Sequence, residues 1–303
     1  MTPAAPGKAQ VPVLFWLCLL TFGAGWGLMQ PLNKIAVGAG FAPWGIMAWQ
    51  GLVTLAVAGA LCAMRGIGLP RGRAQWVVAA QVAFLGTLMP HWATYTAVGV
   101  LPAGLMAILL ATVPILALPL GAVLGQERVT GRRLLGLGLG LGAVAVIAGF
   151  RDGIAPGAGW AVAIALLAPS CYALNSTLLV RRGMAGLDPL QAFAGAACLF
   201  LPISVVVALA TGQATWLFGP GQGIGSLAVL TIAVGHTLLY SGFLRLVTRA
   251  GSVFASQTAY LVTGFGVLWS VLLLGERYPA AVLAAGVMMV AGMAMVRPAE
   301  RRA

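Results

Sequence analysis

"MPHWATYTAV" (residues 89–98) sets His91 and Tyr95 four positions apart inside one of the most apolar stretches of the chain. The protein has two histidines, and the second opens "HTLLY" (236–240), where His236 again precedes a tyrosine, Tyr240, by four. Residues four apart share one face of a helix, so the same imidazole–phenol pair is written twice. The offset between the histidines is 145 residues, and other features return at nearly the same distance. Ala103-Gly104 recurs 147 positions later as Ala250-Gly251, Trp26 corresponds to Tyr172 at 146, and "GQER" (125–128) matches "LGER" (274–277), with Glu127 and Glu276 separated by 149. A near-constant offset is the mark of a duplicated unit. The two units join near "FRDGIAPGAG" (150–159), whose charge and Gly/Pro content suit a linker.

The chain of 303 residues is 61% hydrophobic and 7% charged, whereas soluble domains carry about a quarter charged residues. Apolar stretches run over 12–33, 43–64, 75–98, 103–124, 131–150, 157–180, 188–210, 224–244, 251–273 and 279–297. Each is long enough to cross a hydrocarbon core about 30 Å thick as a helix, the form that satisfies its own backbone where there is no water. The expectation is an all-α polytopic membrane protein with ten transmembrane helices. It divides into a cytoplasmic tail (1–10), a first five-helix repeat (11–150), a linker (151–156) and a second five-helix repeat (157–303). Five is odd, so the second repeat enters the membrane inverted relative to the first. The first stretch has the look of a signal peptide but lacks a clear small-residue cleavage site and is read as a retained helix.

A net charge of +12 would point to nucleic acid in a soluble protein. Here its distribution reports orientation instead. Lys8, Arg65, Arg71, Arg73, Arg128, Arg132, Arg133, Arg181, Arg182, Arg245, Arg249, Arg297, Arg301 and Arg302 fall on one side, against Lys34, Arg151 and Arg277 on the other. That positive-inside bias places both termini in the cytoplasm, and no nucleic-acid partner is implied. Cys18, Cys62, Cys171 and Cys198 lie singly within spans and read as small apolar residues, so neither a metal site nor a cofactor is expected.

Ten helices in two inverted halves, Trp26-Gly27 ahead of Lys34 in the first span, Pro114 in the fourth, and the "GQER" and "LGER" endings of the fourth and ninth spans resemble one family. The chain is similar to the drug/metabolite transporter superfamily, in particular its EamA-type ten-helix members. The resemblance implies a bacterial inner-membrane exporter of amino acids or related small metabolites, with a central cavity lined by both halves. One departure bears on cargo. Where such proteins often carry an arginine early in the second span, "AWQGLV" places Gln50, which disfavours anionic substrates.

Polar groups inside a membrane usually face the bundle interior or a wet cavity. Trp26, Gln30 and Asn33 form a stripe on the first span, and Tyr172, Asn175 and Ser176 form its counterpart on the sixth. The ninth adds Ser252, Ser256, Gln257, Tyr260 and Thr263. The candidate substrate-binding set is Trp26, Gln30, Gln50, His91, Tyr95, Tyr172, Asn175, His236, Tyr240, Gln257 and Tyr260. His91 and His236 are also candidates for a coupling proton, since an imidazole titrates near neutral pH. Against this stands a plain alternative: both histidines are neutral core residues, and the serines and threonines bond their own helices. Lys34 either snorkels to the outer interface or meets a substrate carboxylate, while Glu127 and Glu276 are expected to pair with adjacent arginines or loop amides. "GLGLGLG" (136–142) and the small residues of the tenth span suit close helix packing.

These features favour a secondary transporter of zwitterionic or neutral solutes, working by alternating access. A flippase for a lipid-linked solute and a nonenzymatic scaffold are the alternatives. An enzyme is disfavoured, because HExxH and paired intramembrane carboxylates are missing, and ATP is not implied without a phosphate-binding loop. The bilayer and a small-molecule substrate are the expected partners, and both a monomer and a homodimer are compatible with the sequence.

Overall fold

The computed structural model describes residues 13–125, 129–149, 157, 159–219, 222–250 and 258–296. Each of the ten expected spans holds a helix among the described residues, and no strand occurs among them. In the first half, α1 is Val13–Gly38, α2 is Pro43–Met64, and α3 consists of Arg73–Ala83 and Met89–Val98 joined by a π-helical turn, Phe84–Leu88. α4 is likewise divided, into Ala103–Leu110 and Val113–Val123, and α5 is Gly131–Gly149. In the second half, α6 is Gly159–Arg182, α7 Pro189–Ala210, α8 Gly223–Ala250, α9 Thr258–Leu274 and α10 Ala280–Val296. Six described helices, α1, α2, α4, α6, α7 and α8, are long and apolar enough to cross a membrane; the apolar parts of α9 and α10 are shorter.

The helices pack in a pattern that maps onto itself when each is exchanged for the one five places on. α1 packs on α9 and α8, and its counterpart α6 packs on α4 and α3. α2 meets α8 as α7 meets α3. The pairs α2–α7, α4–α9 and α5–α10 are their own images. Such mutual exchange is a pseudo-two-fold relation. With an odd number of crossings between equivalent helices, the axis lies in the membrane plane and the halves are inverted.

Local chemistry explains the breaks. Pro90 has no N–H to give Gly86, and the helix widens just before it: the Met89 N–H reaches back to Phe84 O, the five-residue spacing of a π turn. Pro114 likewise gives nothing to Leu110. The chain tightens there, with Ala111 N–H on Ile108 O and Thr112 N–H on Leu109 O, and the Thr112 hydroxyl takes up Leu109 O at 2.7 Å. α7 begins at Pro189, whose ring suits the first turn, under an Asp188 carboxylate that accepts the Leu190 N–H at 2.8 Å.

Glycines set the closest approaches. A Cβ on Gly27 would stand 2.8 Å from Gly266 N, at the crossing of α1 and α9. One on Gly292 of α10 would stand 2.6 Å from Gly136 O and 3.1 Å from Gly140 N of α5. The small-residue stripe thus joins α5 to α10 through Gly136 and Gly140, whereas Gly138 faces open space. Two boundaries differ from expectation. α1 continues five residues past position 33, carrying Lys34, and α8 runs on to Ala250.

Candidate functional site

The two histidines meet. His91 of α3 and His236 of α8 stand edge to face with ring centroids 5.0 Å apart, one from each half. The π turn before His91 and Pro90 directs this part of α3, and Tyr95, one turn on, lies edge to face with His91 at 5.9 Å. Gln50 of α2 binds both: its Oε1 accepts from Tyr95 Oη at 2.9 Å and lies 3.0 Å from His91 Nδ1. An amide oxygen accepts only, so this contact sets Nδ1 as the protonated nitrogen of His91 and leaves Nε2 with its lone pair. The Gln50 Nε2 amide is buried with no partner.

His236 has aromatic surroundings. Tyr240 stacks on it at 6.0 Å, Phe193 of α7 lies 5.7 Å away and stacks on Tyr240 at 5.1 Å, and Trp26 of α1 approaches to 6.5 Å. Trp26 in turn meets Phe243 edge to face at 5.1 Å. Next to His236 in the chain, Thr237 shares a hydroxyl hydrogen bond of 3.1 Å with Thr54 that ties α8 to α2. The duplicated histidines therefore have unlike neighbours: amide and phenol around His91, stacked rings around His236.

Of the other candidates, Asn175 is buried and takes Gln81 Nε2 of α3 on both its backbone oxygen, 3.2 Å, and its Oδ1, 3.1 Å. Gln30 and Asn33 are buried on α1, each with an unpartnered carbonyl oxygen. Tyr172 is half-buried on α6. Gln257, Ser252 and Ser256 lie outside the described residues, as does the side chain of Tyr260. Ser176 departs from its stripe: it is exposed, and its hydroxyl returns to Ala173 O of its own helix. Thr263 bonds Ala259 O of its own helix at 3.1 Å and also reaches Ala107 O of α4 at 3.5 Å. Lys34 and Glu276 lie at helix ends and pair with each other; Glu276 takes the backbone amides of Ala103 and Gly104, as expected, and not an adjacent arginine, while Glu127 is outside the described residues.

The residues that sequence reasoning missed are Phe193, Phe243, Gln81 and the Thr54–Thr237 pair. The phenylalanines give no signal in an apolar chain, whereas Gln81 carried one, as an amide inside a span. No group of three or more His, Cys, Asp or Glu side chains that could hold a metal occurs among the described residues.

The junction thus joins the two five-helix units through rings and uncharged amides. Residues 13–149 match the EamA-like transporter family. That family is part of the drug/metabolite transporter superfamily, and the match spans all five helices of the first half. A solved structure described as "Crystal structure of protein" is similar to the chain with a TM-score of 0.66 at 18% identity, covering 94% of this chain and 96% of that one. Its coverage extends the likeness of fold to the second half, beyond the EamA-like match. Among curated proteins nothing matches. The described helices make the chain a multi-pass membrane protein, and its first half is similar to the EamA-like transporters of small solutes.

Proposed function

We propose that this protein is a secondary transporter that exports amino acids or related zwitterionic and neutral metabolites across a bacterial inner membrane. The observation that carries the proposal is the approach of His91 to His236, 5.0 Å between centroids, beside the buried Gln50 amide, where side chains of both halves meet. In this reading the stacked rings of Phe193, His236 and Tyr240 and the indole of Trp26 face the organic body of the solute. The free Gln50 N–H groups, and the unpartnered carbonyls of Gln30 and Asn33, complement its polar ends. None of these side chains is an acid, a lysine or an arginine, which favours cargo of little net charge. The halves rock about the junction so that it opens to each side in turn.

The histidines also suit a coupling proton. Two imidazolium rings at this separation would repel by about 3 kcal/mol at an effective dielectric constant of about 20, so the pair holds at most one added proton per cycle. The test is purified protein in liposomes with labelled amino acids, with and without a pH gradient. Flux should occur, and should fall at least about tenfold in His91→Ala and in His236→Ala. Full activity in both variants removes the junction from the pathway. Flux that ignores the gradient removes the proton.

A further inference from the structure

A second inter-half junction lies at the helix ends and takes no part in the site above. Lys34 Nζ, near the end of α1, donates to Leu101 O at 2.8 Å and stands 3.5 Å from Glu276 Oε1. The Glu276 carboxylate also closes the start of α4: Ala103 N–H donates to Oε1 at 2.9 Å and Gly104 N–H to Oε2 at 3.2 Å. Tyr278 Oη donates to Glu276 Oε2 and shares the Gly104 N–H at 2.9 Å. The carboxylate comes from the second half, while the cation and the helix start, with its unpaired N–H groups and positive dipole end, come from the first. Two glycines make the fit possible. Gly275, at φ +65°, turns the chain after α9 so that Glu276 faces α4, and a Cβ on Gly104 would stand 2.7 Å from Tyr278 Cζ.

We infer that this cluster is a latch. It holds the bundle shut at the end that the arginine bias assigns to the outside, and the halves part there by releasing Glu276 from Lys34 and from the start of α4. The inference rests on the alternating-access reading above. A charged link suits a contact that must both close and open. Its groups exchange protein partners for water at modest net cost, whereas an apolar seam would expose hydrocarbon each time. The Lys34 side chain is 33% exposed and that of Glu276 12%, so the lysine is the more open member of the pair.

The test uses the full chain, with its four cysteines replaced and Thr94→Cys as reporter. Thr94 is buried on α3 and lies in the sequence between His91 and Leu101, whose carbonyl accepts from Lys34. An impermeant thiol reagent is applied to right-side-out and to inside-out vesicles. In Glu276→Gln, and independently in Lys34→Met and Tyr278→Phe, labelling from outside should quicken about tenfold while labelling from inside stays level or falls, as a population shift requires. Equal quickening from both sides, or no change in any variant that inserts normally, overturns the latch. Flux of labelled amino acids in the same vesicles is scored separately. Absent flux with the labelling asymmetry intact would sink the carrier reading and not the latch.

Discussion

Replacing Gln50 with leucine probes the junction most sharply, because one atom serves two donors. Gln50 Oε1 accepts from Tyr95 Oη at 2.9 Å and lies 3.0 Å from His91 Nδ1, and the three residues are 1%, 2% and 6% exposed. Gln50→Leu strands both donors. A buried unmet donor costs about 1–3 kcal/mol, but interhelical hydrogen bonds in membranes average only about 0.6 kcal/mol because the unfolded helices find other partners. The leucine also relieves the unpartnered Gln50 Nε2. The net loss should therefore be about 1–2 kcal/mol. Tyr95→Phe removes one donor together with its need and should cost about 0.5–1 kcal/mol. Because both changes break the same bond, their coupling energy should be about 1 kcal/mol. Detergent-induced unfolding of wild type, both single variants and the double variant in bicelles measures the cycle. Coupling below about 0.3 kcal/mol, the additivity error of independent sites, would refute the bond and with it the orientation of His91.

Gly292→Ala drives a methyl onto Gly136 O and Gly140 N and should cost about 1–3 kcal/mol in the same unfolding assay, whereas Gly138→Ala, facing open space, should be neutral or gain up to about 1 kcal/mol of helix propensity. Thr54→Val and Thr237→Val each remove the shared hydroxyl bond and should each cost about 0.6 kcal/mol, the double variant costing less than the sum. Burial first, then the hydrogen bond and charge of Glu276, push the Tyr278 phenol above its ordinary range. The folded protein thus keeps this proton after the unfolded chain has lost it. The resulting stability is present below pH about 10 and is lost above it, by at most about 1.4 kcal/mol per pH unit. Alkaline unfolding curves should show a shallower fall in Tyr278→Phe than in wild type.

The duplicated architecture was legible because its signals are rare residues in a monotonous background. Two histidines and two glutamates at nearly the same offset stand out where most positions are Ala, Leu, Gly or Val. The approach of His91 to His236 follows from that symmetry, since residues near a two-fold axis meet their own counterparts. What stayed hidden was phase and partnership. The π turn at Phe84–Leu88 inserts a residue into α3, and one inserted residue rotates all that follows by about 100°, so no stripe drawn through Gln81 and His91 would find both. Phe193 and Phe243 are single aromatic rings among many apolar neighbours. The Lys34–Glu276 pair joins positions 242 apart. Nothing local to either residue points to the other, and the neighbouring Arg277 offers Glu276 a nearer but unused partner. Ser176 failed for the opposite reason: a hydroxyl can satisfy itself on its own helix, so its place on a polar stripe says little.

The inversion of the two halves is tested most directly by side-specific labelling of single cysteines at Arg132 and Arg277, both exposed. With Cys18, Cys62, Cys171 and Cys198 replaced, an impermeant thiol reagent outside intact cells should modify Arg277→Cys at once and Arg132→Cys only after permeabilisation. Modification of both from the same side would contradict the inverted arrangement, and with it the account of a carrier built around His91 and His236.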